Sequence, residues 1–180
     1  GKDFVIEIKE THRGPIISSI HPYKFVYNDD DIDVPPISMR WSGNEFSDEM
    51  LAFYKINKAK NWNEFRDGVK YFGIPGQNFV YADAQGNIGY IMGARIPIRS
   101  SNNPTLVFDG TTSENNWRGF VPSNEIPFIL NPAENFIASA NNKTIKDFKF
   151  HISNLWEPSS RIDRIRELLT YKEKHSANDF

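Results

Sequence analysis

Two adjacent side-chain amides close the run Phe136-Ile-Ala-Ser-Ala-Asn-Asn142. An asparagine amide offers catalysis one thing without bringing charge. Its NH2 can donate a hydrogen bond to an oxygen that becomes negative in the transition state. It also has an ordinary use, because asparagine tolerates left-handed φ and bonds its own backbone in turns. From residue types alone, Asn141 and Asn142 read as either a turn or an oxyanion donor.

Other chemistry is sparse. His12, His21, His151 and His175 show no metal-ligand spacing such as H-E-x-x-H. There is no G-x-S-x-G elbow, P-loop or G-x-G-x-x-G run. A Ser-His-Asp triad needs no proximity in sequence, but no serine stands out as its nucleophile. Cysteine is absent, which excludes disulfides, thiolate metal sites and a Cys nucleophile. Asp29, Asp31 and Asp33 match the opening of a calcium loop. Val34 then stands where the turn glycine belongs and Arg40 where the bidentate glutamate belongs, so the stretch reads as a solvated acidic loop.

The bulk properties bound the elements that must hold these groups. The chain has 180 residues, 39% hydrophobic and 14% aromatic, enough for a packed core. The 21 basic and 23 acidic residues leave a net charge of −2, with no footprint for nucleic acid or an anionic membrane. No apolar run approaches the roughly 18 residues of a spanning helix, and Gly1-Lys-Asp-Phe-Val alternates instead of opening a signal peptide.

Alternation predicts strands at Phe4–Lys9, Ile16–Ile20, Gln77–Asp83, Ile88–Ile98 and in the FIASANN run, with a hairpin signal at Gly86-Asn87. One helix is expected after Ser47 as N-cap, with Met50, Phe53, Tyr54 and Asn57 on one face. A second opens with an Asn61/Glu64 capping box and carries the stripe Trp62, Phe65, Val69 and Phe72. Ser160 and Asp163 open a last helix with Ile162, Ile165, Leu168 and Leu169 facing the core. Residues 99–132 lose periodicity yet keep Phe108, Trp117, Phe120 and Phe128, and read as a packed binding loop.

The order of several segments carries more than any one of them. Thr11-His-Arg-Gly-Pro-Ile16, Met39-Arg-Trp-Ser42 and Lys58-Ala-Lys-Asn-Trp-Asn-Glu-Phe65 come first. Gln77-Asn-Phe-Val-Tyr-Ala-Asp83 running on through Gly86-Asn-Ile-Gly-Tyr90, Gly93-Ala-Arg-Ile-Pro-Ile-Arg99 and Trp117-Arg-Gly-Phe-Val-Pro122 follow. Asn131-Pro132 with FIASANN, and Trp156-Glu-Pro-Ser-Ser-Arg161 running into Leu169, complete the series. Together they closely resemble the β-chain of the penicillin acylase (penicillin amidase) family of N-terminal-nucleophile hydrolases, over nearly the whole chain.

The resemblance implies an α+β fold: part of a four-layer αββα sandwich, with antiparallel sheets inside and helices outside. Residues 1–37 would be a β-rich extension and 38–180 part of the hydrolase core. It implies an amidohydrolase that removes an acyl group from an amine, in a β-lactam, an N-acyl homoserine lactone or a similar acyl-amide. That family uses an N-terminal serine, exposed by self-cleavage in a Ser-Asn-x-Trp context. No such opening stands at Gly1, so the chain is expected to be an internal piece of a precursor, inactive by itself. Its partners would be the α-chain and the N-terminal part of the β-chain, and the family suggests a periplasmic or extracellular location.

By the same resemblance, Asn141 matches the asparagine that stabilises the oxyanion, and Arg161 an arginine that orients it and the serine. Phe53 and Gln77 match positions lining the acyl pocket, although Phe53 suits plain core equally well. Gln77 puts an amide where phenylacetyl-selective relatives have an apolar residue. Some relatives bind structural calcium, and Pro104 matches a backbone-carbonyl ligand there. Phe150 stands in place of their aspartate, so no metal or other cofactor is carried over. Two other readings stand beside this one: a non-catalytic β-rich module binding carbohydrate or peptide through the 99–132 loop, and an inactive structural fragment.

Overall fold

A computed structural model of the chain describes residues 3–21, 35–101 and 105–179. The acidic run Asp29–Asp33 and Pro104 fall outside the described residues. The chain divides into two compact units, Gly1–Phe46 and Ser47–Phe180.

In the first unit, β1 (Glu10–Thr11) and β2 (Gly14–Pro15) form a short antiparallel pair. Gly14 sits at φ +133°, and a Cβ there would lie 2.2 Å from the Met39 carbonyl oxygen, so glycine is required. Ile16 continues as a single bridge to Ser38. The strands expected at Phe4–Lys9 and Ile16–Ile20 do not form. Phe4, Val5, Ile6 and Ile8 are exposed, and no described residue pairs with them to make a ladder. Beyond Ile16 the chain turns, with His21 N–H donating to the Ile17 carbonyl at 2.9 Å.

The second unit is built on a three-stranded antiparallel sheet in the order β3 (Gln77–Ala82), β4 (Ile88–Gly93), β5 (Phe128–Leu130). The β3–β4 hairpin closes where Gly86-Asn87 predicts it. Gly86 takes φ +86°, and the Asp83 carboxylate accepts from Gln85 N–H at 3.0 Å and Asn87 N–H at 2.9 Å. β4 ends at Gly93 instead of running to Ile98. Arg95 N–H turns away to the Gly73 carbonyl, and Pro97 has no N–H for a ladder.

β5 lies inside the segment expected to be irregular. Three residues are too few for alternation to show, and the strand exists because β4 has an open edge, with Tyr90 paired to Ile129. FIASANN is the converse. It belongs to no strand, so the strand expected there does not form. Its link to β3 is a side-chain bond, from Asn78 Nδ2 to Ser139 Oγ at 3.2 Å, in place of a main-chain ladder.

Helices α1 (Glu49–Lys58) and α2 (Trp62–Val69) are covered differently. On α2 the local signals hold: Asn61 Oδ1 accepts from Glu64 N–H at 3.0 Å, and the Glu64 carboxylate takes the Lys60 N–H at 2.9 Å. Trp62, Phe65, Val69 and Phe72 are all buried. Their rings lie on Tyr81, Phe79 and Phe128 of one sheet face. Glycines make room for them, because a Cβ on Gly89 would come within 2.3 Å of the Trp62 ring.

α1 corrects the sequence reading twice. Its N-cap is Asp48, whose side chain accepts from Leu51 N–H, while Ser47 instead bonds Glu49. Its inward side is Ala52 and Ile56, not Met50, Phe53, Tyr54 and Asn57. Ala52 is fully buried, while Met50 and Tyr54 are exposed. Gly68 explains this, since a Cβ there would sit 2.9 Å from Ile56 N. The two helices approach backbone to backbone, which only small residues allow. Helix α3 (Ser160–Thr170) starts after Ser159, which makes no side-chain cap bond. It buries Ile162, while Leu168 stays exposed.

Candidate active site

Asn141 sits at φ +62°, in the left-handed region. The turn expected of an asparagine is therefore present at this residue. Left-handed φ does not single it out, because Asn131 and Asn135 share it. What distinguishes Asn141 is how it is held. Its backbone carbonyl accepts from Glu157 N–H at 2.9 Å, and its Oδ1 accepts from Arg161 Nη1 at 3.2 Å. Both partners come from the segment entering α3. Arg161 lies in that helix's first turn, where a positive charge opposes the helix dipole. The bond to Asn141 supplies a reason for the placement.

This contact fixes the amide's orientation. A guanidinium has donors only, so the amide atom facing it is the oxygen. Nδ2 is turned the other way, and among the described residues nothing accepts from it. Asn141 and Arg161 are both exposed, so the NH2 is open to a ligand.

Asn142 does different work. Its Oδ1 folds back to accept from Ala140 N–H at 2.9 Å, and its carbonyl accepts from the Thr144 hydroxyl at 3.3 Å. Strand alternation would send it to the opposite side of the chain as an idle neighbour. The loop instead makes it the internal brace of the turn that presents Asn141.

Phe53 and Gln77 lie elsewhere in the second unit. Phe53 is 45% exposed, so it is not core, and its ring meets Phe72 at 5.7 Å and Phe79 at 6.3 Å. Gln77 opens β3, exposed and paired with Gly93. It shares a sheet face with Phe79 two residues on, so both candidates border the same aromatic cluster. Neither lines a cavity of about 210 Å3 under that cluster, walled by Val69, Phe72, Ile91, Phe120 and Ile126. A second cavity of about 500 Å3 backs the Asn141 turn and is lined by Phe136, Ala138, Asn142, Thr144, Trp156 and Ile162 among others.

Several residues near the turn escape sequence reading. Tyr90 is 4% exposed, and its hydroxyl donates to Asn78 Oδ1 at 2.8 Å. Burial raises its pKa, and the neighbouring Thr144 hydroxyl lowers it less. His151 is held below its usual pKa by desolvation, with Arg99 and then Lys143 adding repulsion. Desolvation also lowers Arg99, whose guanidinium lies 5.6 Å from the Trp117 ring centre. Phe150 packs edge-on against Phe148 at 5.5 Å. Among the described residues no cluster of three or more His, Asp or Glu could hold a metal. No helix among them is long and apolar enough to cross a membrane.

Comparison with known proteins gives the chain its relatives. The penicillin amidase family model matches residues 1–180. The chain is 26% identical to the penicillin acylase 2 proenzyme of Pseudomonas sp. (strain SE83), over 99% of this chain and 22% of that protein. It is 33% identical to penicillin G acylase of Escherichia coli, over 78% of this chain and 17% of that one. It is 32% identical to the acyl-homoserine lactone acylase QuiP of Pseudomonas syringae pv. tomato, over 69% and 15%. A solved thermostable penicillin G acylase from Alcaligenes faecalis superposes with a TM-score of 0.73 at 25% identity, covering 96% of this chain and 29% of that one. The chain thus spans about a fifth of the length of the curated relatives it matches. Matched along its whole length by the family model, it belongs to the penicillin amidase family of acyl-amide hydrolases.

Proposed function

We propose that this chain supplies the oxyanion donor of an acyl-amide hydrolase whose nucleophile is an N-terminal serine on another segment of the protein. The observation that carries this reading is the 3.2 Å bond from Arg161 to Asn141 Oδ1. It aims an uncommitted NH2 outward from a turn pinned at its backbone as well. A donor fixed before the reaction pays no reorganisation when charge develops, which is the condition for strong oxyanion stabilisation.

The chemistry then needs little else from this chain. The serine's own α-amine, with a pKa near 7.7–8.0, takes the hydroxyl proton as the oxygen attacks the amide carbon. The carbonyl oxygen becomes the oxyanion and accepts from Asn141 Nδ2. Collapse of the tetrahedral adduct breaks the C–N bond, the proton passes to the leaving amine, and an acyl-serine ester is left. Water attacks that ester through the same sequence, and the acid departs. Asn141 serves both oxyanions, and Arg161 holds the amide without entering either step.

Phe53 and Gln77 are assigned to the acyl side of the substrate. An exposed aromatic edge beside an amide suits an acyl chain with a polar group better than a plain phenyl ring. The substrate class is an acyl-amide of the kind named for the relatives, a β-lactam or an N-acyl homoserine lactone.

The test uses the full-length protein that contains this segment. It is incubated with phenylacetyl, β-lactam and N-acyl homoserine lactone amides, and released amine is quantified. The N-terminus of the mature chain carrying residues 1–180 is sequenced in parallel. The reading expects amine release and a serine at that terminus. Intact amides together with an unprocessed chain would overturn it.

A further inference from the structure

The Asn141 turn carries no main-chain ladder, yet it is not left to float. Asn78 and Tyr90 lie on the sheet face opposite α2, since Asn78 alternates with Gln77 and Tyr90 pairs with Val80. Tyr90 donates to Asn78 Oδ1 at 2.8 Å, which turns the Asn78 NH2 toward Ser139 Oγ, 3.2 Å away. Ser139 precedes Asn141 by two residues. On the other side, the Thr144 hydroxyl donates to the Asn142 carbonyl at 3.3 Å and closes the turn on itself. One buried tyrosine hydroxyl therefore reaches the turn through Asn78 and Ser139.

We infer that Tyr90 and Asn78 are positioning residues for the oxyanion donor, forming a polar strut that fixes the height of the Asn141 turn above the sheet. Arg161 sets which way the amide faces, and the strut sets where the amide is. The two functions need different residues, because Arg161 sits on α3 while Tyr90 sits on β4. Hydrogen bonds of this kind are directional, and each is open or closed as a unit with its neighbours. Removing the hydroxyl strands Asn78 Oδ1 and leaves the Asn78 amide free to turn away from Ser139. The ring of Tyr90 would keep its place, because only the hydroxyl is lost in Tyr90→Phe.

The inference rests on the proposed function for its kinetic readout, so it is tested with two readouts in the full-length protein. Tyr90→Phe is expected to lower kcat about threefold to tenfold, the loss of one or two net hydrogen bonds, with KM changed less than about twofold. Hydrogen exchange of the amides of residues 140–144 should quicken, while that of residues 88–91 holds. Ser139→Ala should share both effects, and Ser139→Thr, which restores the hydroxyl, should recover them. Tyr81→Phe is the control. It loses a bond of the same 2.8 Å length, to Asp83, on the helix-covered face, and should leave both readouts at wild-type values.

The strut is refuted if Tyr90→Phe changes neither kcat nor exchange in 140–144, if its effect falls on KM alone, or if Tyr81→Phe matches it. Should the wild-type protein hydrolyse no acyl-amide, the proposed function fails, and the exchange readout by itself decides whether the strut holds the turn.

Discussion

Gly89→Ala should be among the most damaging single-methyl changes in the chain. A Cβ at this position would lie 2.3, 2.7 and 2.9 Å from three atoms of the Trp62 ring. Ordinary carbon contacts start near 3.5 Å, so the ring would have to retreat by about 1 Å. It has nowhere to go. Trp62 is 8% exposed and is boxed in by Phe65 at 5.8 Å, Tyr81 at 5.4 Å and Phe128 at 5.8 Å. Overpacking of a filled core costs about 1–3 kcal/mol, and this case belongs at the upper end, about 3 kcal/mol. Two other glycines calibrate it. Gly86 has nothing within 4 Å but sits at φ +86°, so Gly86→Ala carries backbone strain alone, roughly 1 kcal/mol. Gly76 has neither problem, with Ala94 Cβ at 3.6 Å, so Gly76→Ala should be neutral or stabilising by up to about 1 kcal/mol. Urea midpoints at constant slope would give the three values. If Gly89→Ala proves milder than Gly86→Ala, the packing of Trp62 on β4 is misjudged.

Other expectations follow from the same contacts. Glu49 has a pKa of about 2 instead of 4.5, chiefly through the Ser47 hydroxyl, with the Gly73 and Ile74 N–H groups adding to it. Its folded pKa is depressed, so the stabilisation is full above about pH 4.5 and is lost as pH falls toward 2. Glu49→Gln should therefore destabilise at pH 7 and match the wild type near pH 2, read from denaturant midpoints across that range. Asn142→Ala should cost about 1 kcal/mol of stability, because Ala140 N–H loses its acceptor. It should also lower kcat several-fold by loosening the turn, far less than the loss of Asn141 itself.

Local signals were legible where their partners are also local. The Asn61/Glu64 box and the Trp62–Phe72 stripe lie within a few residues of what they bond or bury. The Gly86-Asn87 hairpin is likewise closed by its own Asp83. Reading failed where a distant element decides. On α1, aromatic residues at helical spacing outweighed Ala52, because the reason for burying Ala52 is Gly68 on the next helix. Phe128–Leu130 became a strand through β4's open edge, and FIASANN did not, despite the better pattern. For the site, the chemistry of an amide donor was legible in Asn141. Its pairing with Arg161 came through family resemblance, since the nineteen residues between them carry no periodic signal. The Tyr90–Asn78–Ser139 chain was not legible at all. Its one trace is a tyrosine in a strand otherwise made of Ile, Met and Gly, whose buried hydroxyl needs a partner.

The central claim, that the Asn141 NH2 is the oxyanion donor held by Arg161, is tested most directly by Asn141→Asp in the full-length protein. Aspartate keeps the size of the side chain and an oxygen for Arg161, so the turn should fold as before. It removes only the donor and places negative charge where the oxyanion forms. The account predicts a fall in kcat of at least about 10²–10³, with substrate binding little changed. Turnover within about tenfold of the wild type, from a folded and processed protein, would contradict it and leave Asn141 as a turn residue.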